Sequence, residues 1–231
     1  LVNSTAVVTP SIPPAPTPAP APTPTPSPSP SPTLSPTPTA SPTATPSATS
    51  TSVSLNVPSL KQYHQPWKNK IYDHTRATIE QFGCALTSAA MVLQYHGHNI
   101  MPDTLNNWLK NQSDGYIRNG LVNWLAVSRY TKQHDTLNSP TLEYKRLPAT
   151  NENLANELNN DRPAILKMPG HFVVATSLLP TTFGINDPGY ANRNDLTPYG
   201  NSYLAIDSYT PTHSDLSYMM FVINKNYDST D

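Results

Sequence analysis

The residue with the clearest chemical potential is Cys84, the only cysteine in this chain of 231 residues. It follows Gly83 and opens a run in which apolar residues recur at helical spacing, at Leu86, Ala89, Ala90 and Leu93. Gly97 fits the left-handed position that closes such a helix, so we expect Cys84 at or near a helix N-terminus. There the unpaired backbone N–H groups and the positive end of the helix dipole favour a nucleophilic thiolate. The alternative is a small buried thiol that packs as an apolar side chain.

The sequence predicts that the elements that position this cysteine are helices in the first part of the domain and strands in the second. Further helices are predicted from Pro102, over residues 121–130 and over residues 151–158, the last capped by Thr150 or Asn151. An entry strand or extended segment is predicted over residues 55–60, and strands over residues 142–147, 163–168, 171–177, 183–187 and 218–223. This order predicts an α+β fold in which N-terminal helices pack on a C-terminal antiparallel sheet.

The N-terminal quarter of the chain has a different composition. No Asp, Glu, Lys or Arg precedes Lys61, and 16 of the 27 prolines lie between Pro10 and Pro46, interleaved with Thr, Ser and Ala. Such a stretch has too few large apolar groups to offset the entropy lost on ordering. We therefore expect residues 1–52 to be a disordered Pro/Thr/Ser-rich stalk or linker, either O-glycosylated or bare. Residues 53–231 suffice for one domain with a sizeable core.

Charge and hydropathy exclude some classes of partner. The net charge is −1, the pI is about 6.7 and no basic patch stands out, so nucleic acid is not expected as a partner. No apolar run approaches the ~20 residues that span a bilayer. Because the chain begins with Leu1 and carries a stalk, we expect an exported protein, extracellular or attached to the cell surface or envelope, with its signal or anchor upstream. We expect a monomer, and the single thiol excludes an intrachain disulfide.

Three stretches carry the rest of the chemistry. They are residues 57–67, Val-Pro-Ser-Leu-Lys-Gln-Tyr-His-Gln-Pro-Trp; residues 79–91, Ile-Glu-Gln-Phe-Gly-Cys-Ala-Leu-Thr-Ser-Ala-Ala-Met; and Gly-His-Phe-Val-Val from 170 with Ile-Asn-Asp-Pro from 185. Their order resembles the bacteriocin-processing (double-glycine) peptidase-like branch of the papain-like cysteine peptidases, over residues 55–225. The resemblance implies the papain-like fold, with Cys84 as nucleophile, His171 as base, Asp187 orienting that base and Gln62 donating to an oxyanion. It implies no metal and no organic cofactor.

The chemistry of these residue types suits those roles. A thiol needs a proton acceptor near neutral pH, which histidine provides, and His171 opens a predicted strand after a Pro-Gly turn. The six other histidines lie in polar or helix-end contexts, so we expect them at the surface. Asp187 ends the following strand and reaches the imidazole if the two strands pair. Asn186 is the rival, because successive strand residues face opposite sides and only one can serve; Asp187 could also simply begin an Asp-Pro-Gly turn.

The glutamine would act through its amide. A side-chain N–H from Gln62 and the backbone N–H of Cys84 would together stabilise a developing oxyanion, and Gln65 is a substitute if the loop is registered differently. The family often carries an acidic residue two positions after this glutamine, where this chain has His64. We expect Trp67 to pack beneath the loop.

These observations predict an exported thiol hydrolase, a cysteine peptidase or amidase that acts on a peptide or protein substrate. No Gly-x-x-x-x-Gly-Lys-Ser/Thr motif is present, so the double-glycine leader specificity of the transporter-linked relatives is not carried over. The alternative is a catalytically inactive surface binding or adhesion module with the same fold. Acyl transfer to an amine is a third option that would use the same side chains.

Overall fold

The computed structural model describes residues 52–118 and 120–212. The predicted stalk therefore lies outside the described residues, except for residue 52. The helices are α1 (Ile79–Phe82), α2 (Cys84–Tyr95), α3 (Pro102–Lys110), α4 (Trp124–Gln133) and α5 (Asn151–Asn159), with a 3₁₀ turn at Thr197–Tyr199. The strands are β1 (Tyr116–Ile117), β2 (Leu121–Val122), β3 (Thr141–Leu147), β4 (Ala164–Met168), β5 (His171–Leu178), β6 (Phe183–Asn186) and β7 (Ala205–Thr212).

Five of the strands form one antiparallel sheet in the order β3-β7-β4-β5-β6. Strands β4, β5 and β6 follow one another as a meander, whereas β7 lies between β3 and β4. Strands β1 and β2 form a separate two-stranded hairpin. The predicted α+β arrangement of helices on an antiparallel sheet is confirmed.

Each face of the large sheet carries its own apolar cluster, because neighbouring residues along a strand point to opposite sides. On β4, Ile165 packs with α2, α3 and α4, whereas Leu166 packs with Leu154 and Leu158 of α5. Helix α2 lies against β5 and β4 on the first face. The helix that begins at Cys84 is therefore fixed against the strand that begins at His171.

Local signals explain where the helices begin. Pro102 occupies the first turn of α3, where its missing N–H removes no hydrogen bond. The Asn123 side chain accepts from the backbone N–H of Leu125 and caps α4, and the Thr150 side chain accepts from Asn153 and caps α5. The cap at Asn123 moves the start of the third predicted helix from residue 121 to Trp124. Residues 121–122 instead pair with β1.

Two further differences concern strands. Residues 53–55 run beside the end of β5 through the Leu55 N–H bond to Thr176 O (2.8 Å). Of the two forms predicted for residues 55–60, an entry strand or an extended segment, the strand is not formed. The strand predicted at 218–223 lies outside the described residues. Strand β7 was not predicted, because its Asp, Ser, Thr and Pro content is typical of a loop. Within residues 52–118 and 120–212, no helix combines the length and apolar character needed to cross a membrane.

Candidate active site

Cys84 is the first residue of α2 and is only partly buried. The chain turns from α1 into α2 at Gly83, where an added Cβ would lie 2.4 Å from Ile79 O and 2.6 Å from Ile79 Cγ2. A side chain at residue 83 would therefore push the two helices apart and displace the thiol. The predicted placement of Cys84 at a helix N-terminus is observed.

His171 is the first residue of β5 and lies opposite Met168 across the tight turn from β4. Gly170, with φ of +68°, occupies the left-handed position of that turn. The His171 side chain is 15 % exposed, so it lines a surface yet is held by the sheet. Its Nε2 atom lies 2.8 Å from Oδ1 of Asp187.

Asp187 follows β6 directly, and the pairing of β5 with β6 brings it to the imidazole, as the sequence predicted. Its side chain is fully buried. Oδ1 accepts from His171, from the Gly189 N–H (2.8 Å) and from the Tyr190 N–H (3.2 Å), and Oδ2 accepts from the Tyr199 hydroxyl. Burial raises the pKa of Asp187, but the hydrogen bonds from His171 and Tyr199 outweigh it and lower the pKa below its usual value.

The neighbouring Asn186 takes no part in this contact. Its Nδ2 donates to Val57 O at 2.9 Å and to Pro58 O at 3.5 Å. Asn186 thus holds the entry segment on the opposite side of the strand end. Of the two rivals, Asp187 is the one that the structure brings to His171.

The thiol and the imidazole also interact. Burial lowers the pKa of His171, but hydrogen bonds to Asp187 and Cys84, together with their charges, outweigh this and raise the pKa to about 9. Since Nε2 faces Asp187, Nδ1 is the ring nitrogen left for the sulfur. The structure therefore brings Cys84, His171 and Asp187 together in that spatial order.

Gln62 lies beside this group, whereas Gln65 is exposed. The Gln62 backbone N–H donates to Pro188 O at 2.9 Å, and its Nε2 donates to Glu80 O at 2.6 Å, one turn before Cys84. Gln62 thus bridges the turn after Asp187 and the helical segment that leads to the thiol. Its Oε1 is buried and has no hydrogen-bond partner among the described residues.

The loop that carries Gln62 is fixed at both ends. The Lys61 ammonium donates to Asp187 O at 2.6 Å and to Tyr190 O at 3.2 Å. Trp67 is buried as predicted, and its indole N–H donates to Lys61 O at 2.9 Å. These contacts leave little freedom for a different register of the loop.

An aromatic cluster around His171 and Asp187 was not predicted. The Tyr199 ring stacks on the His171 ring with centroids 6.2 Å apart, and the Tyr190 ring meets it edge-on at 5.7 Å. The Arg193 guanidinium lies 3.5 Å from the Tyr190 ring centroid and donates to the Tyr199 hydroxyl at 3.0 Å. Nothing in the local pattern of residues 190–199 marks these side chains as neighbours of a histidine far back in the sequence.

Cys84 and His171 face a common cleft of about 900 Å³. Its walls come from the segment before α2, from the hairpin β1–β2, from the start of α4 and from the sheet. Most of its lining is apolar, and it includes four side chains that are at least half exposed: Phe82, Ile117, Leu121 and Leu125. Trp124 is buried and also lines this cleft.

Of the other histidines, His213 lies outside the described residues, and His64, His74 and His134 are exposed as predicted. His98 is only 3 % exposed and its Nε2 lies 2.7 Å from Pro140 O, so the prediction that it is a surface residue is wrong. Its neighbour His96 is partly buried, and burial together with the charges of His98 and Arg162 lowers its pKa to about 4. Among the described residues, no group of three or more His, Cys, Asp or Glu side chains is arranged to hold a metal ion.

The chain is similar to a C39-like peptidase candidate from Bacillus anthracis (17 % identity, TM-score 0.46), over 71 % of this chain and all of that one. It is also similar to a double glycine motif protease from an AMS/PCAT transporter, solved in complex with its leader peptide (20 % identity, TM-score 0.44), over 69 % of this chain and 95 % of that one. No curated protein matches the chain.

The assignment itself rests on the family model. The sequence model of the Peptidase C39-like family matches residues 54–213, a range that contains Gln62, Cys84, His171 and Asp187. The resemblance drawn from the three sequence stretches is thereby confirmed at the level of the family. The chain belongs to the Peptidase C39-like family.

Proposed function

We propose that this protein is a cysteine peptidase that acts on peptide substrates through Cys84, His171 and Asp187. The observation that carries the proposal is the position of His171, whose Nε2 is 2.8 Å from a buried carboxylate while its ring also interacts with the Cys84 thiol. A histidine held in this way keeps a proton up to about pH 9, so it presents a positive charge to the sulfur near neutral pH. That charge and the N-terminus of α2 both favour the thiolate.

The proposed reaction proceeds by nucleophilic acyl transfer. The Cys84 thiolate attacks the carbonyl carbon of the scissile bond, and the developing oxyanion is stabilised by the Cys84 backbone N–H and by the second amide hydrogen of Gln62. The His171 imidazolium gives its proton to the leaving amine as the C–N bond breaks, which leaves a thioester. His171 then takes a proton from water, the resulting hydroxide attacks the thioester, and the thiolate and a carboxylate product are released.

The shape of the cleft favours a peptide over a small amide. Its volume of about 900 Å³ exceeds the needs of a single amide group. The half-exposed side chains of Phe82, Ile117, Leu121 and Leu125 would be covered by apolar side chains of an extended chain. Export and attachment through the proline-rich stalk belong to the same proposal, because a stalk would hold the cleft away from the surface that carries the protein.

The test is the cleavage of a defined peptide pool, read by mass spectrometry. We expect new termini with the wild type and none with Cys84→Ala or His171→Gln. His134→Gln, a change in the exposed histidine that caps the C-terminus of α4, should cleave as the wild type does. A parallel reaction with an added primary amine separates hydrolysis from acyl transfer by product mass. Full cleavage by Cys84→Ala would refute the proposal. Peptide binding without turnover in the wild type would favour the binding module.

A further inference from the structure

Apart from the proposed pair of Cys84 and His171, the charged side chains that line the cleft are all cations. Arg76, Arg146 and Lys167 line it, and none of the described lining residues is Asp or Glu. Over the whole chain the charges nearly balance, with 14 Lys and Arg against 15 Asp and Glu. The side chains of Arg76 and Lys167 are exposed, and neither forms a hydrogen bond or ion pair with a described residue. Cations gathered in one concave site attract anionic ligands and raise their local concentration.

The side chain of Arg146 is fixed by an ion pair with the buried carboxylate of Asp207. Its Nε donates to Oδ1 of Asp207 at 2.8 Å, and the Tyr144 hydroxyl donates to the same oxygen at 2.8 Å. The Asp207 side chain is fully buried, whereas the Arg146 side chain is 51 % exposed. A buried carboxylate is costly unless it is paired, so its presence beneath the cleft fixes the direction of the guanidinium. Because this ion pair uses Nε, the two terminal nitrogens of Arg146 can bind a second carboxylate.

Strand register places these groups on the face of the sheet that carries the cleft. Arg146 is opposite Asp207, and Lys167 is opposite Ala205 on one side and Phe172 on the other. Strands are ~4.8 Å apart, so Lys167, one strand away, lies about 5 Å from His171. Arg146 lies three strands away and level with Val174, three residues farther along β5, so it is about 17 Å from His171. An extended peptide rises about 3.3 Å per residue and would meet these cations within about two to five residues of the reacting carbonyl.

We infer that the cleft selects acidic peptide segments, with Lys167 and Arg146 binding carboxylate side chains that lie about two to five residues from the scissile bond. This inference rests on the proposed function, because it places the reacting carbonyl at Cys84. Asp207 and Tyr144 act as positioning residues for Arg146. The apolar wall formed by Phe82, Ile117, Leu121 and Leu125 lines the same cleft, so a substrate that combines acidic and apolar side chains fits both surfaces.

The experiment measures binding in the inactive Cys84→Ala protein, so that turnover is not required. The probes are three fluorescein-labelled decapeptides with apolar residues at alternate positions, identical except that two positions carry Glu, Gln or Lys. We expect the Glu peptide to bind about tenfold more tightly than the Gln peptide at low salt, with the Lys peptide weakest and the differences shrinking at high salt. Equal affinities for the three peptides, or no measurable binding of the Glu peptide, would overturn the inference.

Charge-removing variants locate the site. In the Cys84→Ala background, Lys167→Gln should weaken the Glu peptide about threefold, the scale of one exposed ion pair, and leave the Gln peptide unchanged. Arg146→Gln combined with Asp207→Asn removes the second cation without leaving a buried charge unpaired. The matched control is Lys145→Gln, because Lys145 lies on the opposite face of β3, opposite Ser208, whose hydroxyl donates to Glu157 of α5. A loss of binding with Lys145→Gln equal to that with Lys167→Gln would contradict the assignment.

The outcomes also separate this inference from the proposed function. If the Glu peptide binds with the expected dependence on Lys167 but the wild type does not cleave it, the binding assignment stands and the peptidase proposal fails. If the wild type cleaves all three peptides with equal kcat/KM, the peptidase proposal stands and the charge selection fails.

Discussion

The Nε2 atom of His171 lies 2.8 Å from Oδ1 of Asp187, a carboxylate with no exposed surface. Gly189 makes this contact possible, since an added Cβ there would come within 2.9 Å of His171 Cε1. The contact selects the ring orientation that leaves Nδ1 for Cys84, and its negative charge favours the imidazolium. A merely structural aspartate in an Asp-Pro-Gly turn would not need this partner.

The first prediction concerns the choice between Asp187 and Asn186. We expect Asp187→Ala to lower kcat/KM by about a hundredfold or more, because His171 loses both its orienting acceptor and its charge partner. Asn186→Ala removes only the bonds to Val57 O and Pro58 O, so it should lower the melting temperature and change kcat/KM by less than about threefold. Peptide cleavage and thermal unfolding of both variants check this. A larger loss of activity with Asn186→Ala would reverse the assignment.

The second prediction uses the pH dependence of Cys84 alkylation by iodoacetamide. The pKa of His171 is raised to about 9, so the ring is charged below that pH and favours the thiolate. Removing the ring in His171→Gln should therefore slow alkylation by about tenfold or more between pH 6 and 7. Above pH 9 the wild-type imidazole is neutral, so the two rates should converge.

Intact-mass kinetics measure these rates, and His134→Gln serves as the control that keeps Cys84 and His171. Parallel pH profiles for the wild type and His171→Gln would mean that the imidazole does not act on the thiol.

The third prediction separates oxyanion stabilisation from thiol activation. We expect Gln62→Ala to lower kcat for peptide cleavage by about ten- to a hundredfold, because the oxyanion loses a donor. Alkylation by iodoacetamide forms no oxyanion at a carbonyl, so its rate should stay within about twofold of the wild-type rate. Gln65→Ala is the matched control, since Gln65 is exposed in the same loop. An equal fall in alkylation and cleavage with Gln62→Ala would show that Gln62 only supports the fold around Cys84.

The fourth prediction concerns Tyr199, whose hydroxyl donates to Oδ2 of Asp187. This bond helps to lower the pKa of Asp187, so its loss in Tyr199→Phe should raise that pKa. Activity should then be lost at a higher pH on the acid side of the profile, while the maximum falls only several-fold. Tyr203→Phe is the control, because the Tyr203 hydroxyl bonds Asn151 instead. If the acid side of the pH–activity profile is unchanged in Tyr199→Phe, the Tyr199 hydroxyl does not control the pKa of Asp187.

The features that could be predicted from the sequence are those with local causes. The helix that starts at Cys84 follows from apolar spacing, and the strand that starts at His171 follows from a Pro-Gly turn before a β-branched run. The contact between Asp187 and His171 could also be predicted, because two successive strands usually pair as neighbours.

The features that were missed depend on contacts between distant residues. The sequence around Asp207 is typical of a loop. Only the fold shows that Arg146 and Tyr144 of β3 bind its carboxylate. The sequence around Tyr199 is typical of a turn. Only the fold shows that its hydroxyl donates to Asp187. In both cases the stabilising partner comes from another part of the chain, and no local propensity reports it.

The position of β7 in the sheet determines when, during synthesis of the chain, the cleft can be completed. Strand β3 pairs only with β7 within the described sheet, and β7 is the last described strand along the chain. A ribosome therefore delivers Cys84, His171 and Asp187 before it delivers the strand that joins β3 to the β4–β5–β6 meander. Until residues 205–212 are inserted, Arg146 has no buried carboxylate to anchor it. The part of the cleft that contains Arg146 is thus completed only after all the proposed catalytic side chains have been synthesised.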